Sequence, residues 1–309
     1  MAVMRKSSVV NFFVYLVSLL PFWVLYRLSD ILYVVLYHVV GYRKAVVYEN
    51  LRNAFPEKSE DERKQIARKF YRFLPDLIVE SIKMRSISAA EAKKRIIIYG
   101  NEELERHFAA GKGVVGVTAH YANWELGIHR LSLLTDNPVL IIYKPLHNKT
   151  VDTIYNSVRS RFGAVMVPMK QTLRKIVAYR HRPHISMFVA DQTPMHRDSD
   201  YFIRFLNQDT LVYTGAEKIA KMTNFPVVFC HIDRLRRGRY CCTFTTLVEN
   251  PAEIPGHGIT DLHNRFTEDI IRRKPEWWLW SHRRWKRKPK GMKPAPDTSY
   301  RKDDQKQVP

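Results

Sequence analysis

From residue 96 onward, short apolar runs alternate with longer segments in which apolar side chains recur every three or four positions. The short runs predict strands buried on both faces, and the longer segments predict amphipathic helices that cover them. This alternation predicts an α/β fold with a mostly parallel central sheet flanked by helices. The predicted strands are Ile96–Tyr99, Val114–Thr118, Pro138–Tyr143, Val165–Val167, Ile185–Ala190, Val227–Ile232 and Tyr240–Val248. The last strand alternates apolar and polar residues as an antiparallel edge strand would.

Capping signals and helix breakers delimit the predicted helices. A helix from Tyr42 ends at Pro56, because proline cannot continue the hydrogen-bond pattern. Ser59-Glu-Asp-Glu62 is a capping box that opens a helix reaching about Met84, and Ser88-Ala-Ala-Glu91 opens a shorter one. The helices predicted between and after the strands are Glu102–Ala110, Leu126–Leu134, Thr150–Phe162, Thr172–Tyr179, Gly215–Met222 and Ile259–Arg273.

The N-terminal region is apolar and predicts attachment to a membrane. Val9–Tyr26 is an uncharged, aromatic-rich stretch, and about 20 apolar residues are enough to cross a bilayer as a helix. Pro21 should kink or end that helix. The second apolar run, Ile31–Val40, is too short to cross, so we expect it at the interface or packed on the first. The alternative is a buried core helix. Because no cleavage site follows, an uncleaved anchor is favoured over a signal peptide.

These features divide the chain into three predicted parts. Residues 1–41 form an N-terminal membrane anchor with interfacial helices, and residues 42–290 form the α/β domain. Residues 291–309 form a basic and polar tail that we expect to be disordered.

The composition restricts the partners of the protein. A formal net charge of +21 predicts anionic partners, such as nucleic acid, an anionic membrane, an acidic carrier protein or a phosphorylated substrate. The apolar N-terminus favours the membrane over nucleic acid. Tryptophans 277, 278, 280 and 285 lie among arginines and lysines, a pattern typical of segments that rest on anionic headgroups. The three cysteines form no zinc motif and no disulfide framework, which fits a reducing compartment.

His120-Tyr-Ala-Asn-Trp-Glu125 is the motif with the clearest chemical meaning. A separation of five residues turns two side chains roughly 140° apart on a continuous helix, which excludes the usual i, i+4 zinc pair. We therefore expect His120 at the strand end and Glu125 in the first helical turn. Glu125 could then accept Nδ1–H of His120 and leave Nε2 free to take a proton from a hydroxyl. The alternative is a polar loop histidine without a catalytic role.

Polar residues also follow two other predicted strands. Tyr143 and Lys144 end one strand, and Asp191 and Gln192 end another. Because functional residues of parallel sheets gather at the carboxyl ends of the strands, we expect these clusters to meet His120 on one rim. For Asp191, an equally weighted alternative is that it caps the following turn.

Several motifs, in order along the chain, resemble those of the lysophospholipid acyltransferase superfamily. More specifically, they resemble the lipid A late acyltransferase branch, whose members add lauroyl or myristoyl chains. The resemblance extends from the anchor to about Lys288. The matching motifs are Asn50-Leu-Arg-Asn-Ala-Phe-Pro56, His120…Glu125, Tyr143-Lys-Pro145, Phe188-Val-Ala-Asp-Gln192, Thr214-Gly215 and Trp280-Ser-His-Arg-Arg-Trp285.

Two features depart from related patterns. Lys144 stands where this branch commonly has arginine, so bidentate recognition of a carboxylate or phosphate is lost there. The Phe-Pro-Glu-Gly-Thr-Arg block of glycerol-phosphate acyltransferases is absent, and Phe188–Gln192 occupies its place. The second departure argues against a simple phosphatidic acid enzyme.

The resemblance implies acyl transfer from a thioester to a hydroxyl of a lipid A precursor at the cytoplasmic side of an inner membrane. His120 would be the general base and Glu125 would orient it. The thioester would be carried by the phosphopantetheine of acyl carrier protein, or by coenzyme A, with no bound cofactor and no metal required. The residues expected to bind substrate are Tyr143, Lys144, Asp191, Gln192, Arg283 and Arg284. Lys144 or nearby backbone N–H groups would stabilise the oxyanion.

Two alternatives remain open at this stage. A relative of the same class could acylate another membrane lipid, such as an amino-acid lipid or a glycolipid. A catalytically silent relative could instead bind anionic lipid.

Overall fold

The structure of the chain is a computed structural model that describes residues 2–194 and 199–289, and every element named here belongs to those residues. The α-helices are α1 Ala2–Leu19, α2 Phe22–Tyr33, α3 Lys44–Ala54, α4 Glu60–Lys83, α5 Ala89–Arg95, α6 Asn101–Ala109, α7 Trp124–Ser132, α8 Lys149–Arg159, α9 Thr172–Tyr179, α10 Gly215–Thr223 and α11 Gly258–Arg273. The strands are β1 Ile96–Tyr99, β2 Val114–Thr118, β3 Val139–Tyr143, β4 Val165–Pro168, β5 Ile185–Val189, β6 Phe202–Phe205, β7 Gln208–Leu211, β8 Val227–Arg236 and β9 Arg239–Val248.

Seven strands form a central sheet in the order β1-β9-β8-β2-β5-β3-β4. All neighbours in it are parallel except β8 and β9, which run antiparallel. The central strand β2 is apolar and Val114, Val115 and Val117 are fully buried, as expected for a strand covered on both faces. The predicted α/β fold with a mostly parallel sheet is confirmed.

Two details of the strand prediction need correction. β9 is not an edge strand, because β1 pairs with it in parallel and forms the edge instead. In addition, β6 and β7 form a separate two-stranded hairpin that the sequence analysis did not predict. Its turn residues Leu206 and Asn207 both have positive φ, the geometry of a type I′ turn, but no glycine marks the position in the sequence.

The N-terminal helix breaks at the predicted proline. α1 ends at Leu19, and Pro21 precedes α2 as its N-cap. α2 continues directly into a π-helical segment, Val34–Val39. The helix that is long and apolar enough to cross a membrane is Phe22–Val39, by length and composition alone. The apolar stretch Val9–Tyr26 is thus divided at Pro21, as the sequence predicted, and most of the second apolar run, expected to be too short to cross, belongs to the candidate span.

The helix formed by α2 and the π-helical segment has two different faces. Leu25 and Ser29 are buried on the inner face, which packs along α4. On the outer face Trp23 is 70% exposed, and Ile31 and Val39 are also largely exposed. A large exposed apolar face is typical of a surface that contacts a membrane or another protein. Only 17% of the Phe22–Val39 window is buried, which is unlike a helix of the protein core.

Both N-terminal helices are bonded to α4 and the turn that follows it. The ammonium group of Lys83 donates to the carbonyls of Ser18 (2.8 Å) and Leu20 (2.9 Å), at the negative end of the α1 dipole. The hydroxyl of Ser86 also donates to Ser18 O (2.5 Å).

The division at residue 41 stays a prediction about domains, and the predicted tail 291–309 lies outside the described residues.

The tryptophan-rich segment near the C-terminus lies in the core. Trp278, Trp280 and Trp285 are buried, so the expectation of an interfacial segment was wrong for these three side chains. Their indole N–H groups have partners inside the protein, as buried tryptophans require. Trp280 donates to Pro275 O (2.6 Å), and Trp285 donates to the Thr210 hydroxyl (2.7 Å).

Candidate active site

His120 lies in the short loop between β2 and α7. The loop is held by the tryptophan-rich segment, because Leu279 N–H donates to His120 O (3.2 Å) and Ala122 N–H donates to Trp277 O (2.9 Å). Ala122 has a φ of +48°, a sparsely populated conformation for a residue other than glycine. Asn123 ends the loop and caps α7, since its Oδ1 accepts Leu126 N–H (2.9 Å). The backbone around His120 is therefore fixed on both sides.

Asp191 is the carboxylate that binds His120. Its Oδ1 lies 2.6 Å from His120 Nδ1, and its Oδ2 accepts the backbone N–H of His120 at 3.0 Å. The indole N–H of Trp278 donates to the same Oδ2 at 2.7 Å. Nδ1 donates to the carboxylate, so Nε2 is the nitrogen left to exchange a proton with a ligand. The strand register explains why the two side chains meet. Thr118 of β2 pairs with Val189 of β5, and His120 and Asp191 each follow that pair by two residues.

The ionised form of Asp191 is stabilised although this residue is only 4% exposed. Burial alone raises its pKa, but the electrostatic interaction with His120 and the hydrogen bonds from His120 and Trp278 outweigh that effect. Together they lower the pKa of Asp191 to about 2 from an ordinary value of 3.8.

Glu125 lies in the first turn of α7, as expected, but its carboxylate binds elsewhere. Arg159 of α8 contacts it twice, with Nε–Oε2 at 2.9 Å and Nη2–Oε1 at 2.5 Å. The expectation that Glu125 accepts Nδ1–H of His120 was therefore wrong, because Asp191 on the adjacent strand occupies that nitrogen. No local sequence pattern could indicate this contact, because Arg159 lies 34 residues after Glu125 in the chain.

Trp124 connects the His120–Asp191 pair with the Glu125–Arg159 pair. Its ring meets the His120 ring edge-on with centroids 4.8 Å apart, and its indole N–H donates to Glu125 Oε1 at 3.2 Å. The ring also forms part of the wall of a small apolar cavity between α7 and the sheet, which no sequence motif indicated. The walls are almost entirely apolar. They consist of Ile98, Thr118, Trp124, Gly127, Ile128, Arg130, Leu131, Ile141, Met187, Val189, Cys230, Ile232, Cys242 and Phe244.

The expected substrate-binding residues on β3 and β5 lie on the same rim as His120. β2, β5 and β3 are parallel neighbours, so their carboxyl ends meet at one edge. The Tyr143 hydroxyl accepts from the Asn156 side chain at 2.9 Å, and Lys144 is exposed. Gln192 is half-buried beside Asp191.

The two arginines near the C-terminus differ in their surroundings. Arg283 is exposed, whereas Arg284 is only 2% exposed. Arg284 Nη1 donates to Leu211 O at 2.8 Å, but its Nε and Nη2 have no hydrogen-bond partner within the described part of the chain. Burial lowers the pKa of Arg284 to about 10, and the charge of Asp191 opposes that shift. Arg284 is therefore an internal cation close to the His120–Asp191 pair and not part of an exposed basic patch.

His282 is a further residue of this region that the motif analysis did not single out. Burial lowers its pKa to about 4, although the nearby charge of Asp191 opposes the shift, while His120 adds to it. This shift favours the neutral form of the His282 imidazole. In residues 2–194 and 199–289, no three His, Cys, Asp or Glu side chains are grouped so that they could hold a metal ion.

Comparison with known proteins identifies the family. Residues 2–287 match the model of the bacterial lipid A biosynthesis acyltransferase family. The chain belongs to this family. This lipid A acyltransferase is thus an enzyme that transfers acyl groups, as the resemblance of its motifs implied.

Curated relatives agree with this assignment. The lipid A acyltransferase is 25% identical to the lipid A biosynthesis lauroyltransferase of Escherichia coli K12 over 287 residues, 90% of each chain. It is 24% identical to the lipid A biosynthesis palmitoleoyltransferase of the same organism over 254 residues, covering 81% of this chain and 80% of the relative. A lipid A biosynthesis acyltransferase of Haemophilus influenzae is 22% identical over 218 residues, 70% of this chain and 68% of the relative.

Replacing Asp191 should change how stability depends on pH. Because its pKa is lowered by folding, the carboxylate stabilises the native state above about pH 4, and this contribution is lost as the pH falls from about 4 to about 2. We expect Asp191→Asn to lower the free energy of unfolding by about 2 kcal/mol at pH 7. The difference from the wild type should shrink below pH 4. Urea unfolding at several pH values measures it, with the exposed Asp136→Asn as control. A difference that does not vary with pH would contradict the assignment.

The Glu125–Arg159 pair should behave as a buried ion pair. Arg159→Met leaves a buried carboxylate without its cation, so we expect a loss of about 2–4 kcal/mol in the free energy of unfolding. Glu125→Gln combined with Arg159→Met removes both charges and should lose less than the two single variants together. Denaturant unfolding of the four proteins provides the test. Strict additivity would mean that the two side chains are not coupled.

Proposed function

We propose that this lipid A acyltransferase moves a fatty acyl chain from an acyl thioester to a hydroxyl of a lipid A precursor, with His120 as general base. The observation that supports this role is the hydrogen bond between His120 Nδ1 and the buried carboxylate of Asp191. It fixes the ring and its tautomer, which leaves Nε2 at the rim of the site. The attacking oxygen belongs to the lipid, so the protein needs no nucleophile of its own.

The proposed reaction has two steps. Nε2 of His120 takes the proton of the acceptor hydroxyl while its oxygen attacks the thioester carbonyl, which gives a tetrahedral oxyanion. The oxyanion collapses, the carbon–sulfur bond breaks, and the leaving thiolate receives the proton from the His120 imidazolium. Asp191 stabilises the imidazolium in between. General base catalysis of this kind contributes about 10²–10⁴ in rate.

The geometry of the His120 loop excludes some backbone N–H groups as donors to the oxyanion. The backbone N–H groups of His120, Tyr121 and Ala122 already donate to Asp191, Ala119 and Trp277, respectively. These three amides are therefore not available to the oxyanion. We propose Lys144, exposed at the end of β3, as a donor to the oxyanion.

Glu125 acts indirectly in this proposal. With Arg159 it ties α7 to α8, and it accepts the indole N–H of Trp124, whose ring meets that of His120. We therefore assign Glu125 to positioning Trp124 beside the general base rather than to orienting the imidazole itself.

We propose acyl carrier protein as the donor, bound from the cytoplasmic side of the inner membrane. The net charge of +21 supports an acidic donor. Coenzyme A thioesters are anionic as well, so rates with the two donors have to be compared directly. The exposed apolar face of α2 and the π-helical segment supports attachment to the membrane in which the acceptor lipid lies.

The apolar cavity is the proposed site of the acyl chain. Its lining includes Trp124, whose ring contacts that of His120, as well as Cys242 of β9 and Ile98 of β1. In the sheet order, β9 is two strands from β2, a distance of about 10 Å at about 4.8 Å per strand. A chain entering beside His120 would therefore end among side chains of β8, β9 and β1.

Loss of His120 should abolish acyl transfer. We expect His120→Ala and Asp191→Ala to lower the initial rate by about 10²–10⁴ with acyl carrier protein as the donor. In cells that lack the native gene, neither variant should restore the mass of one acyl chain on lipid A. His181→Ala is the matched control, because this exposed histidine precedes β5 at the opposite edge of the sheet.

The outcomes of this experiment separate the alternatives. If the His120→Ala enzyme is as active as the wild type at equal membrane abundance, the general-base role is wrong. If lipid A is unchanged when the gene is removed while another lipid loses an acyl chain, the proposed acceptor is wrong.

Filling the far end of the cavity should shorten the preferred acyl chain. We expect Cys242→Phe to shift the product toward shorter chains, because the larger side chain occupies space among Ile98 and Phe244. Cys241→Phe is the matched control, since its neighbour position on β9 points to the opposite face of the sheet and does not line the cavity. Competition between acyl donors of different length, read by mass spectrometry, measures the shift. Equal preferences in both variants would argue against this location of the chain.

A further inference from the structure

Glu80 lies at a junction between three separate parts of the structure. This side chain of α4 is buried, and it accepts hydrogen bonds from three neutral donors. Tyr26 of α2 donates to Oε1 at 3.0 Å, and Tyr240 of β9 donates to Oε2 at 2.7 Å. The third donor is the side-chain amide of Asn123, which lies 2.5 Å from Oε2. Glu80 thus connects the membrane-facing helix, the sheet and the loop that carries His120.

Asn123 is suited to this connection by its chemistry. Its Oδ1 caps α7 by accepting Leu126 N–H, while its Nδ2 is free to donate to Glu80. Serine would cap the helix equally well, but it lacks the amide group that reaches Glu80. Asn123 is fully buried and lies three residues after His120, so its position determines how the His120 loop ends.

Tyr26 provides the connection to the N-terminal region. It lies on α2, one turn from Trp23 on the exposed apolar face, and its hydroxyl also accepts from Arg95 Nη1 at 3.1 Å. The same helix makes a second contact one turn further along, where the Ser29 hydroxyl donates to Asp76 Oδ1 at 2.7 Å. Asp76 is buried one turn before Glu80 on α4, but its other partners are Arg234 and Arg237 of the β8–β9 hairpin and not the His120 loop.

We propose that Glu80 is a positioning residue for acyl transfer, because it holds the His120 loop, through Asn123, to the membrane-facing helix α2, through Tyr26. The proposal rests on His120 as the general base. Removing either contact should let the loop shift relative to the bound substrates without removing a group that touches them. Such a displacement lowers kcat more than it changes KM.

A double-mutant cycle tests this connection in the full-length enzyme reconstituted in lipid vesicles. We expect Asn123→Ser to lower kcat about tenfold, and Tyr26→Phe to lower it by a smaller factor, with little change in KM for the acyl donor. Because both contacts act through Glu80, the double variant should lose less than the product of the two single losses. Ser29→Ala is the matched control, since it removes a buried contact between the same two helices. It should leave kcat unchanged.

The outcomes separate this proposal from the proposed function. If Asn123→Ser and Tyr26→Phe affect kcat independently, or if Ser29→Ala lowers kcat as much as Tyr26→Phe, the connection through Glu80 is wrong. If His120→Ala retains full activity, the proposed function fails whatever the result of the cycle. Midpoints of thermal unfolding for all variants show whether a loss of kcat follows stability alone, which would also overturn the proposal.

Discussion

The parallel register of β2 and β5 is the constraint on which the site depends. Since Thr118 pairs with Val189, the segments after β2 and β5 leave the sheet side by side, and His120 and Asp191 meet two residues later. Parallel strands need a long crossover, so the two side chains are 71 residues apart in sequence. The segment around Trp278 then closes over the pair and supplies one more hydrogen bond to the carboxylate. A shift of the register would separate His120 from Asp191.

Buried carboxylates surround this site, and each is compensated in a different way. Glu125 binds an arginine, Asp191 binds an imidazole and two neutral N–H groups, and Glu80 binds neutral donors only. A buried charge stabilises a fold little compared with apolar packing, because desolvation offsets most of the attraction. Its clearer physical effect is directional, since each carboxylate accepts hydrogen bonds from segments that are distant in sequence. We infer that the main effect of these groups is to fix the geometry of the segments they join.

Local sequence patterns predicted most helices and strands, but contacts between residues distant in the chain could not be derived from them. Apolar runs and caps located the strands and helices, and they placed His120 at a strand end and Glu125 in a first helical turn. The partner of His120 depended on strand order, which periodicity does not contain. The same limitation applies to Arg159. The tryptophans were misread because an indole beside basic residues suits either an interface or a core in which the N–H has a partner.

The N-terminal region shows why an apolar stretch alone does not define an anchor. Its composition suggested an anchor, and Pro21 divides it as predicted, but the second helix has one face in the protein core and one exposed apolar face. If this helix attaches the enzyme to a membrane, as we propose, it does so in a fixed orientation, because its inner face packs on α4 and Tyr26 is bonded to Glu80. The depth of the helix in the lipid and the orientation of the catalytic rim are then not independent. An enzyme whose acceptor is a membrane lipid needs this relation, since its rim has to face the layer in which the hydroxyl lies.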